Sequence, residues 1–185
     1  RTVSVEAMEA EWEEIKLAKN NPSAFRPLYN RYYESIFRFI FKRTLEEGLS
    51  ADICSQVFIK AMQKLNTYSY QGVPFSAWLF RIASNEVAQH FRGTSKHRIV
   101  SVDDANISDM AHKMEEDDLL KYRHHLIPAL EKLRPKDLEI IELRFFEKRP
   151  FAEIAGILDI TESNAKVRTY RVLERLKKII FKQMK

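Results

Sequence analysis

The chain has 185 residues, 45% of them apolar and 31% charged, with a net charge of +5 and one cysteine. That length allows one domain or two small ones, and the composition excludes disorder throughout. No run reaches the roughly 18 to 20 uninterrupted apolar residues of a membrane span, since Arg38 breaks the most apolar stretch, Ser35 to Phe41. A lone Cys54 excludes an internal disulfide and fits a reducing cytoplasm. No signal-peptide pattern is read from Arg1 onward. Scarce glycine and proline point to an all-α chain.

In chain order, residues 6–20 carry an acidic helical pattern that Pro22 ends. From Ser23, residues Ala24, Phe25, Leu28, Tyr32, Ile36, Phe39 and Ile40 keep helical spacing through Arg43, with Gly48 expected to close the element or its turn. Ser50 is expected to cap a second helix whose stripe is Ile53, Val57, Phe58, Ala61 and Leu65. Residues 66–74, with Gly72 and Pro74, read as a loop. A third helix is predicted over 75–92, with Trp78, Leu79, Ile82, Ala83 and Val87 inward.

Residues 93–120 hold three basic and seven acidic residues and little apolar periodicity, which predicts a flexible acidic linker. Extended, it would reach about 90 Å. Helices are expected again over 119–133 and from Pro135 to Phe146. A helix-turn-helix pair completes a C-terminal four-helix unit. The architecture expected is two small helical domains, 1–92 and 121–185, joined by the tether.

The final pair is the most informative stretch. Phe151, Ile154, Ala155 and Leu158 form one buried face, Asp159 to Thr161 the turn, and Thr161 the cap of a long second helix. On that helix Ala165, Thr169, Val172, Leu173, Leu176, Ile179 and Ile180 fall on one side; Ser163, Lys166, Val167, Tyr170, Arg171, Glu174 and Lys178 fall on the other. A recognition helix needs that division, an apolar seam behind and a polar, cationic face for base edges and phosphates. Residues 144–185 contain eleven Lys or Arg against five Asp or Glu, an excess larger than the whole chain's. The basic character is therefore local.

Three segments resemble the bacterial sigma factors of the extracytoplasmic-function type, which keep only regions 2 and 4. Residues 75–85, FSAWLFRIASN, are similar to the family's F-x-x-W-L-x-x-I-A-x-N. Residues 52–58, DICSQVF, resemble its D-L-V-Q-E-V-F. Glu153 to Ala155, followed by Asn164 to Arg168 and Tyr170-Arg171, resemble E-I-A, T-V-K-S-R and a residue-Arg pair. The resemblance covers nearly everything from Ala24 onward except the linker.

That resemblance implies a protein that binds core RNA polymerase through the clamp helices of the largest subunit and the flap of the second largest, and directs it to promoter DNA. It places Asp52, Ser55 and Gln56 at the clamp interface, with Ser55 where Gln is usual and Gln56 where Glu is usual. Arg81, Asn85, Gln89 and Arg92 share a helical face suited to phosphates and base edges, and Gln89 replaces a common Asp. Tyr68 and Tyr70 are read either as core residues or as the loop aromatics that capture a flipped base. Lys166, Val167, Tyr170 and Arg171, with Ser163 and Asn164 near the helix N-terminus, match positions facing the distal promoter element. Arg168 and Arg175 flank that face as backbone or salt-bridge residues. Most such proteins are held by an anti-sigma factor, with which the long tether is compatible; the linker is read either as a solvated spacer or as a segment threading polymerase.

No catalytic constellation is found: there is no H-E-x-x-H, C-x-x-C, G-x-x-x-x-G-K or G-x-G-x-x-G. His124 and His125 point about 100° apart on a helix and make a poor metal pair. No enzyme, cofactor, metal or direct membrane contact is expected. Two rival readings stand beside the first: a stand-alone helix-turn-helix regulator, usually dimeric, and a helical adaptor that binds protein only.

Overall fold

The computed structural model describes residues 4–70, 72–92, 104–114 and 119–183. Among them there is no strand, and the chain divides into two compact units, Arg1–Ile99 and Val100–Lys185.

In the first unit, α1 (Val5–Asn20) is capped by Ser4, whose Oγ accepts the Ala7 N–H at 3.2 Å. A 3-10 turn over Pro22–Phe25 leads into α2 (Arg26–Thr44), followed by α3 (Glu47–Lys64), a second 3-10 turn over Leu65–Thr67, and α4 (Phe75–Arg92). Helices α2, α3 and α4 pack against one another. Their shared core holds Leu28, Ile36, Phe39, Ile40, Cys54, Val57, Ala61, Leu79, Phe80 and Ala83, all essentially without solvent contact. Phe39 and Phe80 meet edge to face with centroids 5.1 Å apart. Arg43 is buried with them, its guanidinium 3.5 Å from the Phe39 ring centroid and its Nη1 donating to the Phe39 carbonyl at 2.7 Å. Burial pushes the Cys54 thiol up to about 12, so the side chain is an inert apolar filler rather than a nucleophile.

Two expected punctuation marks move. Gly48 lies inside α3 rather than closing α2; the left-handed residue that closes α2 is Leu45, at φ 51°, with its N–H on the Phe41 carbonyl at 2.8 Å. Ser50 is not the cap of α3. It is buried in the first turn, where Oγ donates to the Glu46 carbonyl at 2.6 Å and meets Thr44 Oγ1 at 2.7 Å, tying the end of α2 to the start of α3.

The second unit contains α5 (Asp104–Lys113), α6 (Leu119–Glu131), α7 (Pro135–Ile141) widening into a π turn over Glu142–Phe146, α8 (Phe151–Leu158) and α9 (Glu162–Gln183). Helix α9 packs on α6, α7 and α8 and supplies the seam Ala165, Thr169, Val172, Leu173, Leu176 and Ile180. The expected linker needs correction here. Part of it is α5, whose Met110, Ala111 and the following Met114 are buried against this unit. Lys177 Nζ donates to the Met114 carbonyl at 3.0 Å, and Lys148 pairs with Asp109 at 3.4 Å. These three apolar residues share one face within a single turn, and burying that face favours the helix despite the segment's acidic composition. Residues 93–103 and 115–118, with the acidic cluster 115–118, lie outside the described residues.

Candidate nucleic-acid and polymerase interfaces

In the second unit the turn before α9 is built by Asp159, left-handed at φ 57°, and by Thr161, whose Oγ1 accepts the Asn164 N–H at 3.2 Å. That geometry sets α9 across α8 with its seam inward and leaves Ser163, Asn164, Lys166, Val167, Tyr170 and Arg171 all exposed. Val167 and Tyr170 keep 44% and 55% of their surface in water, which leaves apolar surface on this face of the kind that meets a thymine methyl in a major groove. Lys166 holds an i, i+4 pair with Glu162 at 2.8 Å, both exposed, so a phosphate competes for it at little cost. The Phe151 ring at the head of α8 lies 4.7 Å from the Arg144 guanidinium and 6.0 Å from Lys166 Nζ, gathering two cations at one edge of the same face.

Arg168 and Arg175 turn the other way. Arg168 Nη2 donates to the Lys136 carbonyl at 2.7 Å, and Arg175 Nη1 is bound to the buried carboxylate of Asp137, which also takes Arg134 Nε at 3.0 Å. These arginines fasten α9 to α7. Glu153 is likewise internal, buried and paired with Arg149 at 3.0 Å.

In the first unit Arg81, Asn85, Gln89 and Arg92 lie along one side of α4, with Asn85, Gln89 and Arg92 exposed and Arg81 half-buried. Asp52, Ser55 and Gln56 are exposed on α3. An open groove between the two helices is lined by Leu49, Asp52, Ile53, Ser55, Gln56, Glu86, Gln89 and His90. The two expected interfaces thus meet at Gln89. Lys60, bound by both Glu86 carboxylate oxygens at 2.7 Å, pins α3 to α4 beside it.

The loop aromatics separate. Tyr68 is a core residue, 8% exposed, with its ring against Trp12 at 6.0 Å, Phe75 at 5.2 Å and Trp78 at 4.9 Å; burial raises its hydroxyl to about 12. Its expected place as a base-stacking residue is corrected, because its ring is already taken up by neighbours. Tyr70 is half-buried, stacked on Trp12 at 6.3 Å with 30° between planes. Trp12, Lys19, Glu86 and His90 were not legible as site residues, since none belongs to a motif: Trp12 and Lys19 reach the loop through the packing of α1, and Glu86 and His90 line the groove only because α3 packs beside α4.

Residues 28–97 match the family model for Sigma-70 region 2, and residues 129–178 match that for Sigma-70, region 4. The chain is 30% identical over 159 residues to the ECF RNA polymerase sigma factor BldN of Streptomyces coelicolor, covering 85% of this chain and 60% of BldN. It thus spans less than two thirds of that relative. It is 24% identical over 156 residues to the ECF RNA polymerase sigma factor SigM of Bacillus subtilis, covering 81% and 91% of the two. In fold it is similar to CnrH, solved with the cytosolic domain of CnrY, at a TM-score of 0.58 and 22% identity over 90% of this chain and 94% of that one. With both family models matched in order over more than half of its length between them, the chain belongs to the extracytoplasmic-function sigma factors, carrying regions 2 and 4.

Proposed function

We propose that this chain binds core RNA polymerase and directs it to promoters with two elements. The face of α9 with Ser163, Asn164, Lys166, Val167, Tyr170 and Arg171 reads the distal element as duplex. Asp52, Ser55 and Gln56 dock on the clamp helices, and the second unit meets the flap. Arg81, Asn85, Gln89 and Arg92 follow the proximal element, while Tyr70 holds an unstacked base. Melting is then conformational capture: stacking contributes about 1 to 3 kcal/mol per base and shifts the duplex equilibrium toward the open form. The chain's work is binding in the cytoplasm, with no chemistry assigned to any side chain. An inhibitory protein partner belongs to the same proposal; CnrH was solved with the cytosolic domain of CnrY.

The observation that carries this reading is the placement of both candidate DNA faces on separately folded units, each matched by its own family model. Run-off transcription with core polymerase from the chain's own host, on fragmented genomic DNA, tests it. Discrete transcripts that require the protein are expected. Tight duplex binding by the protein alone, with neither polymerase association nor transcripts, would overturn the proposal.

A further inference from the structure

Helix α1 lies before the residues that match region 2, yet part of its inner face meets the loop assigned above to base capture. One end of that face is anchored: Ile15 and Ala18 are buried, and Glu11 accepts from the Tyr32 hydroxyl and from Arg31, which also grips both oxygens of Glu14 at 2.9 Å. What the anchor holds out is Trp12. Its ring stacks on Tyr70 and meets Tyr68 edge-on. Lys19 Nζ donates to the Tyr68 carbonyl at 2.5 Å and stands 5.0 Å from the Trp12 ring, and the Tyr70 hydroxyl points at Met8 Sδ, 3.9 Å away. Three residues of α1 therefore fix two consecutive aromatics of a loop whose backbone reverses through Gly72 at φ 72°.

A loop ring that must receive an unstacked base binds weakly if it is ordered only at that moment, because the entropy of fixing it is subtracted from the stacking gain. Here that ordering is done beforehand, by contacts that touch neither polymerase-facing α3 residues nor the exposed row on α4. Resting on the reading of Tyr70 given above, we propose that Trp12 is a positioning residue for promoter melting, which through its stack on Tyr70 presets the base-capturing loop and makes α1 part of the proximal-element site.

The test uses the full chain with core polymerase and a single-stranded oligonucleotide carrying the proximal element of a promoter recovered by run-off transcription. Trp12→Ala is expected to weaken oligonucleotide binding about 5- to 20-fold, with core-polymerase affinity and duplex distal-element binding unchanged; Trp12→Phe, which keeps a stacking ring, is expected to restore most of the loss. Lys19→Gln leaves the ring in place and removes one tether, so it gives a smaller loss in the same direction even if Trp12→Ala folds poorly. Tyr70→Ala separates the two ideas. If Tyr70→Ala weakens binding while Trp12→Ala and Lys19→Gln do not, the positioning role is overturned and the reading of the loop stands. If Tyr70→Ala has no effect, the reading of the loop fails and the inference with it. A Trp12→Ala loss shared equally by core-polymerase binding would mark general damage and overturn the positioning role.

Discussion

In the C-terminal unit the side chains assigned to DNA stand on one continuous helix, α9, and the same 3.6-residue period that buries its seam exposes its face. In the N-terminal unit they are spread over α3, α4 and a loop, and the loop is held by residues as distant as Met8 and Tyr70, 62 positions apart. Recognition of an intact duplex needs only a rigid rod with a polar face. Capture of an unpaired base needs a shaped aromatic surface, and that takes several elements. The contrast is testable, because a helix-borne site should lose function without losing stability.

The sharpest such test is the pair Lys166→Ala and Arg171→Ala. Both side chains are exposed, and a base or phosphate contact of this kind contributes about 1 to 3 kcal/mol. Together their removal is expected to lower run-off transcription from promoters with a distal element by at least about 30-fold, while thermal unfolding moves by less than about 0.5 kcal/mol. Intact transcription would remove the recognition role from this face of α9.

Met110→Ala asks whether α5 belongs to the C-terminal unit or merely tethers it. Met110 is fully buried, and truncating such a side chain costs about 2 to 5 kcal/mol. Chemical denaturation followed unit by unit should show the loss in the C-terminal transition alone. A spacer without packing would show none.

What could be read from the residues divides along the same line. The period of α9, the bounds of α4 and the cap at Thr161 are local properties, and local spacing revealed them. The end of α2 falls within a residue of the expected one, but the left-handed residue that closes it is Leu45, a conformation that sequence rules reserve for glycine. Ser50 looked like a cap because its hydroxyl suits one, but the partner it found was Thr44 of the preceding helix. Helix α5 was hidden because its few buried residues sit among carboxylates, so composition outweighed period. Tyr68 and Tyr70 could not be told apart, since what takes Tyr68 inward is its contact with Phe75 and Trp78 of α4 as well as Trp12 of α1, a matter of tertiary packing.

Asp137 sharpens the account of which arginines are structural. Its buried carboxylate takes Arg134 and Arg175 and lies 3.9 Å from Arg168. Asp137→Ala lets three partly exposed arginines return to water, so the cost is moderated by solvent, about 1 to 2 kcal/mol. Calorimetry should show a lower C-terminal transition with the N-terminal one unchanged, and distal-element binding should weaken only in proportion to the unfolded fraction.

The smallest effect concerns the N-terminal core and alkaline pH. Burial raises Cys54 from 9.0 to about 12 and Tyr68 from 10.0 to about 12, and it raises Tyr32 in the same sense. Each group is neutral when protonated, so the folded state keeps its proton where the unfolded chain would release it. Below pH 9 both states hold these protons and the contribution is complete; above it the unfolded chain ionises first and stability declines toward pH 12. The midpoint of the N-terminal transition should therefore be flat from pH 7 to 8.5 and fall steadily beyond 9. Cys54→Ala should flatten the first part of that fall, at pH 9 to 10, because the thiol, with the lowest unfolded value of the three, titrates first in the unfolded chain. A C-terminal transition that declined equally would trace the slope to net charge rather than to these buried groups, since Tyr29, Tyr32, Cys54 and Tyr68, whose values are raised, lie in the first unit.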